Sequence, residues 1–413
     1  MKADIAVLGA GMVGVCVALH LQRRGRTTIL LDRRGAAEET SFGNAGLIQR
    51  EGVVPYGFPH DFGALLRYGL NRTIDTHYHL TALPEIAPFL WKYWTHSRKD
   101  RHAEIARLYS KLIEHCVVEH DVLAAEAGAA ALIRRDGWIR AFRTEAKRDA
   151  SFAEAEQWKR EFGVFHRTLD ARGLQEMEPH LAPVLSGGLH WTEPTTVTDP
   201  NALALAYLRR FEALGGRFVQ GNAATLEENG SGWRLRTAEG PVETGAAVIA
   251  LGPWADIVTR MLGYDLPLAV KRGYHMHYRA AGVAKLNRPV LDSERGYLLA
   301  PMAGGIRLTT GAEFALRDAI RTPVQLGRAE PIARELFPLA ERVDTEPWMG
   351  ARPCTPDMMP IIGPAPRHGN LWFAFGHAHH GLTLGPVTGR LIAEMVTGDR
   401  PFVDPAPYRA ERF

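Results

Sequence analysis

The sequence predicts an α/β protein with a Rossmann-type dinucleotide-binding unit at its start. Three observations lead there. Residues 5–32 read as strand, glycine-rich turn, helix, strand and acid, and a second fully buried strand, Ala246–Leu251, comes far downstream and ends on Gly252. Period-two alternation then returns at Tyr274–Tyr278, Tyr297–Ala300 and Ile306–Thr310, which implies a further sheet beyond that unit.

Each element follows in order. Ile5 to Leu8 is a short apolar run that leads directly into Gly9-Ala10-Gly11-Met12-Val13-Gly14. Val13, Val17, Ala18 and Leu21 then share one helical face up to Arg24, and Gly25 suits the residue after a helix end, where no Cβ opposes a left-handed backbone. Thr27 to Leu31 returns as a strand and closes on Asp32. Ser41 to Pro59 is rich in glycine and proline and reads as loop. Helical patterning covers Leu80 to Ala131, with Trp91 and Trp94 in an amphipathic stretch, then a strand over Trp138–Thr144 and a helix over Glu145–Phe162. A helix over Asn201–Leu214 ends at Gly215-Gly216 before the strand Arg217–Gln220, and Gly232–Arg236 alternates as a half-buried strand does. The last stretch holds a strand, Leu371–Phe375, and a helix from Pro386 to Val396.

Composition bounds the function. The 413 residues suggest two or three domains, and 49 Lys and Arg against 46 Asp and Glu leave a charge of +3 with no basic run, so no nucleic-acid partner is expected. Three separated cysteines without a CxxC pair argue against a disulfide framework or a thiolate metal site. No signal peptide is expected at the N-terminus, and no apolar run reaches the ~18 residues of a membrane-spanning helix. A cytoplasmic protein is the expectation, with peripheral contact at the inner membrane left open.

Gly9-x-Gly11-x-x-Gly14 is weak alone, but its setting between strand and helix, with Asp32 18 residues beyond Gly14, makes it a pyrophosphate-binding turn. Gly9 allows the turn, Gly11 admits the pyrophosphate, Gly14 lets helix meet strand, and Asp32 suits a ribose hydroxyl. The turn does not choose between NAD(P) and FAD. Ser41-Phe42-Gly43-Asn44-Ala45-Gly46 lies about ten residues beyond Asp32, where its backbone amides can meet a flat ring. The turn at Gly252-Pro253-Trp254 offers a second approach. Gly376-His377-Ala378-His379-His380-Gly381-Leu382-Thr383 precedes a helix whose amides carry partial positive charge.

These stretches, with Arg272-Gly273-Tyr274-His275 and Trp348–Asp357, resemble in order the FAD-dependent D-amino acid oxidase superfamily. The branch is that of D-amino acid dehydrogenases, glyphosate oxidoreductase and glycine and sarcosine oxidases. The resemblance implies a Rossmann-type FAD-binding domain and an α+β substrate domain built on a mostly antiparallel sheet. The FAD part would be discontinuous, over 1–80, 170–262 and 345–413, with the substrate part over 81–169 and 263–344. It implies FAD contacts at Gly9, Gly11, Met12, Val13, Gly14, Asp32 and Arg33, and in the next loop at Ser41, Asn44, Ala45, Gly46 and Leu47. Further contacts fall at Ala250, Gly252 and Trp254, and at Gly376, His377, His379, Gly381, Leu382 and Thr383.

The expected reaction is oxidation of a D-amino acid, with D-proline or its hydroxy derivative among the candidates. Hydride leaves Cα for flavin N5, and the imino acid hydrolyses to an oxo acid. Three residues are candidates for this chemistry. Arg352, in Gly350-x-Arg352-Pro353, is the expected clamp on the substrate carboxylate, against a structural pairing with Asp357 or Glu346. Tyr274 is a possible hydroxyl for the same carboxylate; strand parity sets it opposite His275 and His277, so only one set can face the pocket. His379 is placed beside flavin or substrate. The three histidines at 377, 379 and 380 lack acidic or cysteine partners, so no metal is expected. Cys354 directly precedes Thr355-Pro356-Asp357, the wrong offset for a flavin tether, so FAD is expected to be non-covalent. The electron acceptor stays open between oxygen and a quinone or carrier. Alternatives are a glycine/sarcosine-type or glyphosate oxidoreductase-like activity, a nicotinamide-dependent dehydrogenase and a non-catalytic flavin-binding subunit.

Overall fold

A computed structural model describes residues Met1–Phe413. Its first sheet has the strand Lys2–Leu8 at its centre, parallel to Thr28–Asp32 on one side and Gly240–Ile249 on the other. Arg217–Gln220 and Leu371–Phe375 extend it, again parallel, at either side. The residues Ile5–Leu8, Thr28–Leu31 and Ala247–Ile249 are all buried. They read as unbroken apolar runs because both faces of the sheet are covered. The first half of Gly240–Ile249 carries an antiparallel flap, Gly232–Thr237.

The helix Met12–Arg23 crosses one face and packs on the C-terminal helix Gly381–Thr397. The approach is close enough that a Cβ at Gly389 would lie 2.6 Å from the Cys16 carbonyl oxygen. This last helix begins five residues before the expected Pro386. Pro386 has no N–H for the Leu382 carbonyl, and His120 Nε2 lies 2.8 Å from that oxygen in its place. A side chain more than 260 residues away thus completes a helical start that local propensity disfavours.

The second sheet has eleven strands and is mostly antiparallel, with only two parallel pairings. Its spine is Ala269–Ala280. The first half of the spine lies between Trp348–Cys354 and Ala312–Phe314, and the second half between Gly305–Thr309 and Leu339–Arg342. Trp138–Phe142, Gly187–Trp191 and His166–Asp170 continue the sheet outward. The expected boundary at 170 therefore falls at the end of a strand, and Gly187–Trp191 beyond it belongs to the large sheet. The helical stretch expected over Leu80–Ala131 is three helices, Leu83–His96, Lys99–Ile113 and Cys116–Glu126. The latter two contribute Ile105, Leu112 and Leu123 to the same core as Val15 and Leu391. No helix is long and apolar enough to cross a membrane.

Candidate active site

The phosphate turn is built from backbone constraints. Gly9 has φ +104°, and a Cβ there would lie 2.5 Å from the Ala250 carbonyl oxygen. A Cβ on Gly14 would lie 1.7 Å from the Gly9 carbonyl oxygen, so helix and strand meet as the spacing predicted. The Asp32 carboxylate accepts hydrogen bonds from the Ala10 and Arg34 N–H groups, at 2.8 and 3.1 Å. Ser41 Oγ accepts from the Met12 N–H at 2.9 Å, which ties the Ser41–Gly46 loop to the helix start. The Arg33 guanidinium lies over the Trp254 ring at 4.5 Å, joining two expected contacts at the same end.

A cavity of about 920 Å³ runs from this turn to the large sheet. That is near the top of the ~300–1,000 Å³ range of small-molecule sites. Gly9, Gly11, Met12, Val13, Asp32 and Arg33 line one end, and Ser41, Asn44, Ala45 and Leu47 one wall. Ala250, Gly252, Trp254, His377, His379, Gly381 and Leu382, also expected to meet the cofactor, lie along it too. Four expected contacts do not line the cavity. Gly14 acts through helix–strand packing, Gly46 and Gly376 turn the chain at φ +74° and +84°, and the Thr383 hydroxyl bonds the Leu47 carbonyl oxygen at 3.2 Å.

Arg352 lies at the sheet end of the cavity. It donates to the Gly311 and Thr310 carbonyl oxygens at 3.0 and 3.4 Å and forms no ion pair. Asp357 is held by Arg412 at 2.8 Å instead. Withdrawal from water lowers the Arg352 guanidinium from its ordinary value. A desolvated fork of five N–H groups without a carboxylate is suited to an anionic ligand.

Tyr274 has no such free donor. Its hydroxyl donates to Glu313 Oε2 at 2.9 Å and accepts from Arg272 Nη2 at 3.0 Å and from the Thr322 N–H at 2.8 Å. The phenol has no donor left for a substrate carboxylate. Arg272 and Glu313, both fully buried and 2.6 Å apart, draw this face of the spine into a closed network. Tyr274 itself borders the cavity, and the opposite, odd-numbered face reaches it through Lys271 and Gly273; a Cβ on Gly273 would strike the Arg352 guanidinium at 2.3 Å. His275 on that face stacks on Trp348 at 4.8 Å, and Trp348 in turn lies where a Cβ on Gly43 would be.

The three C-terminal histidines have different partners, although the His379 and His380 rings lie 3.8 Å apart. His377 Nε2 pairs with the Thr388 hydroxyl at 2.8 Å and His380 Nδ1 with the Tyr109 hydroxyl at 2.7 Å. The His379 ring packs 4.8 Å from Tyr56 in the cavity. Burial brings His377 and His380 down to about 3. Burial, with His380, Arg352 and Lys271 nearby, holds His379 well below its ordinary value. His379 is thus a neutral ring and a weak base.

Two cavity residues escaped the sequence reading. Tyr56 stands in the Pro-rich loop, where nothing but its aromatic character marks it. Glu51 is 3 % exposed; its Oε1 accepts from Gln49 and Trp138, both at 2.9 Å, and its Oε2 has no partner. Burial raises its carboxyl from 4.5 to about 7. The folded protein therefore holds a proton the unfolded chain releases, and this group's stabilising contribution falls as pH rises from 4.5 through 7. Glu51→Gln is expected to melt higher than the parent above pH 7, by up to about 3 kcal/mol, with the difference vanishing below pH 4.5. Parallel melting curves across pH 4 to 8 would remove the basis for this expectation.

A dinucleotide cradle opening on an arginine-lined chamber under an antiparallel sheet defines a nucleotide-cofactor oxidoreductase. The family model described as FAD dependent oxidoreductase, DAO, matches residues 4–395, and the chain belongs to that family. It is an FAD-dependent oxidoreductase acting on amino donors. A D-amino-acid oxidase of Bradyrhizobium diazoefficiens is 30 % identical, with 99 % of this chain and 98 % of the relative covered. A D-amino acid dehydrogenase of Chromohalobacter salexigens is also 30 % identical, with 99 % of each covered. Among solved structures, glycine oxidase from Geobacillus kaustophilus superimposes with a TM-score of 0.75 at 22 % identity, covering 100 % of this chain and 99 % of its own.

Proposed function

We propose that the protein oxidises the Cα–N bond of a D-amino acid to an imino acid, which water converts to an oxo acid and ammonia. Arg352, a desolvated guanidinium without a carboxylate partner in the chamber that continues the dinucleotide cradle, carries this reading. The names of the 30 % identical relatives support the D configuration. When bound, FAD supplies the acceptor for the hydride that leaves Cα.

The protein's own residues bind, orient and desolvate. Arg352 takes the α-carboxylate in a bidentate grip and so fixes the direction of the Cα–H bond. The positive charge of Arg352, together with exclusion of water, disfavours an ammonium beside it, so the amine is held neutral with its lone pair free to form the C=N bond. Neutral His379 offers a hydrogen-bond acceptor or donor without taking the proton. Burial raises the Cys354 thiol, so it stays protonated and is a poor nucleophile, in keeping with FAD held non-covalently.

Anaerobic mixing of the yellow protein with D- and L-amino acids, glycine, sarcosine, D-proline and hydroxy-D-proline tests the proposal. Bleaching of the visible band by members of the D series is the expected result; bleaching only by L-amino acids, or only by glycine and sarcosine, overturns it. Repeating the mixing in air separates oxygen from a quinone or carrier as acceptor.

Tyr56 and Tyr274 should separate in the same assay. Tyr56 lines the cavity beside His379 with its hydroxyl engaged by no protein group, so it is assigned to the substrate carboxylate. Tyr56→Phe is expected to raise the half-saturating substrate concentration about tenfold, the cost of one hydrogen bond to a charged group. Tyr274→Phe is expected to lower the melting temperature, because it removes one hydrogen bond to the buried Glu313 and leaves the Thr322 N–H without its acceptor, with a smaller effect on saturation. The reverse pattern would restore Tyr274 to the substrate.

A further inference from the structure

Lys271 and Arg352 are direct partners across the antiparallel pair formed by Ala269–Ala280 and Trp348–Cys354. Both side chains line the cavity. Like charges directly opposite on one sheet face repel, and such pairs are ordinarily relieved by a carboxylate. Here none is present. Neither residue forms an ion pair, and the acids on neighbouring strands and loops are engaged elsewhere. Glu313 is held by Arg272, and Asp357 by Arg412.

The surroundings of the ammonium sharpen the point. Lys271 is 9 % exposed, yet Nζ has no oxygen acceptor. Its neighbours are Met358 Sδ at 3.7 Å and the face of Tyr93, with Nζ 3.9 Å from the ring centroid. A second ring, Phe314, lies 5.4 Å away. Three N–H donors meet a thioether and two π-faces, which attract a cation but leave its hydrogen bonds unmade. The two cations also diverge. The guanidinium reaches over Gly273 to the carbonyls of Thr310 and Gly311, and the ammonium turns toward Tyr93 and Met358. One carboxylate on Arg352 leaves the second cation unanswered.

We propose that Lys271 is a second anion subsite, and that the substrate is a D-amino acid carrying a second carboxylate. The inference rests on the assignment of Arg352 to the α-carboxylate. The ammonium receives the distal carboxylate, its N–H groups gain oxygen acceptors, and the two like charges are each neutralised. The aromatic wall then serves to exclude water from the pair, so a neutral side chain of equal length gains no such partner. Lys271 acts on specificity and takes no part in the bond changes at Cα.

Isothermal calorimetry on the FAD-loaded protein with two unreactive probes, butyrate and glutarate, reads this subsite without turnover. Glutarate is expected to bind about tenfold more tightly than butyrate, the scale of a charged hydrogen-bonded contact. Lys271→Met is expected to bring that ratio to about one, whereas Lys271→Arg keeps most of it. A ratio near one in the parent protein, or an unchanged ratio in Lys271→Met, overturns the subsite, and the parent measurement decides the matter even if the variant fails to fold. Bleaching by the D-amino acid panel judges the reaction separately, so a parent protein that bleaches yet shows no preference for glutarate over butyrate refutes only the subsite.

Discussion

Arg352→Ala is expected to weaken substrate saturation of anaerobic flavin bleaching by about 3 kcal/mol, roughly a hundredfold, while the protein stays yellow and folded. The cost arises because the substrate carboxylate would give up hydration on entering the cavity and lose the fork that replaces it. Arg352→Lys should recover only part of the loss, since an ammonium is a point charge and cannot hold both oxygens in one plane. Stability should move the other way. The guanidinium is anchored on two carbonyl oxygens and has no opposing charge, so Arg352→Met removes a desolvated cation and is expected to melt at or above the parent temperature. Unchanged saturation in Arg352→Ala would return the residue to a structural role.

Gly14→Val is expected to cost more than about 4 kcal/mol and to yield protein that is poorly soluble or free of FAD. The first side-chain carbon would lie 1.7 Å from the Gly9 carbonyl oxygen, a backbone atom that no rotamer change can move aside. The helix Met12–Arg23 would have to lift from the sheet, and both the turn beneath it and its contact with Gly381–Thr397 would shift together. The ratio of visible to ultraviolet absorbance after purification reports the outcome. Gly327→Ala is a fitting control. It lies in the helix Val324–Leu336 with no atom near its Cβ, and it should gain about 1 kcal/mol from helix propensity. A yellow, normally melting Gly14→Val protein would mean that helix and strand are not held together in the manner described.

Some of this was readable from the chain itself. The turn around Gly9, Gly11 and Gly14 was legible because its demands are local: a positive φ, a close approach and an acid at the end of the next strand all leave marks within 30 or so residues. Arg352 was legible through the motif around it, although its lack of a carboxylate partner was not, since Asp357 lies only five residues away and pairs with Arg412. The parity of Tyr274 against His275 and His277 could be stated in advance. The direction of each face could not, because it turns on Glu313, more than 35 residues further on. Glu51 and Tyr56 carry no local signature at all. Their chemistry comes from what surrounds them, Trp138 and Gln49 for the carboxyl and His379 for the ring.

Backbone geometry and apolar periodicity are short-range properties, so residue order alone settles that a dinucleotide turn exists, where it begins and which strands are buried on both faces. Charge balance inside a cavity is a sum over groups that meet only after folding. That is why the free fork of Arg352, the unanswered ammonium of Lys271 opposite it and the raised carboxyl of Glu51 emerge only when two sheets, the loop between them and the C-terminal helix close around one space.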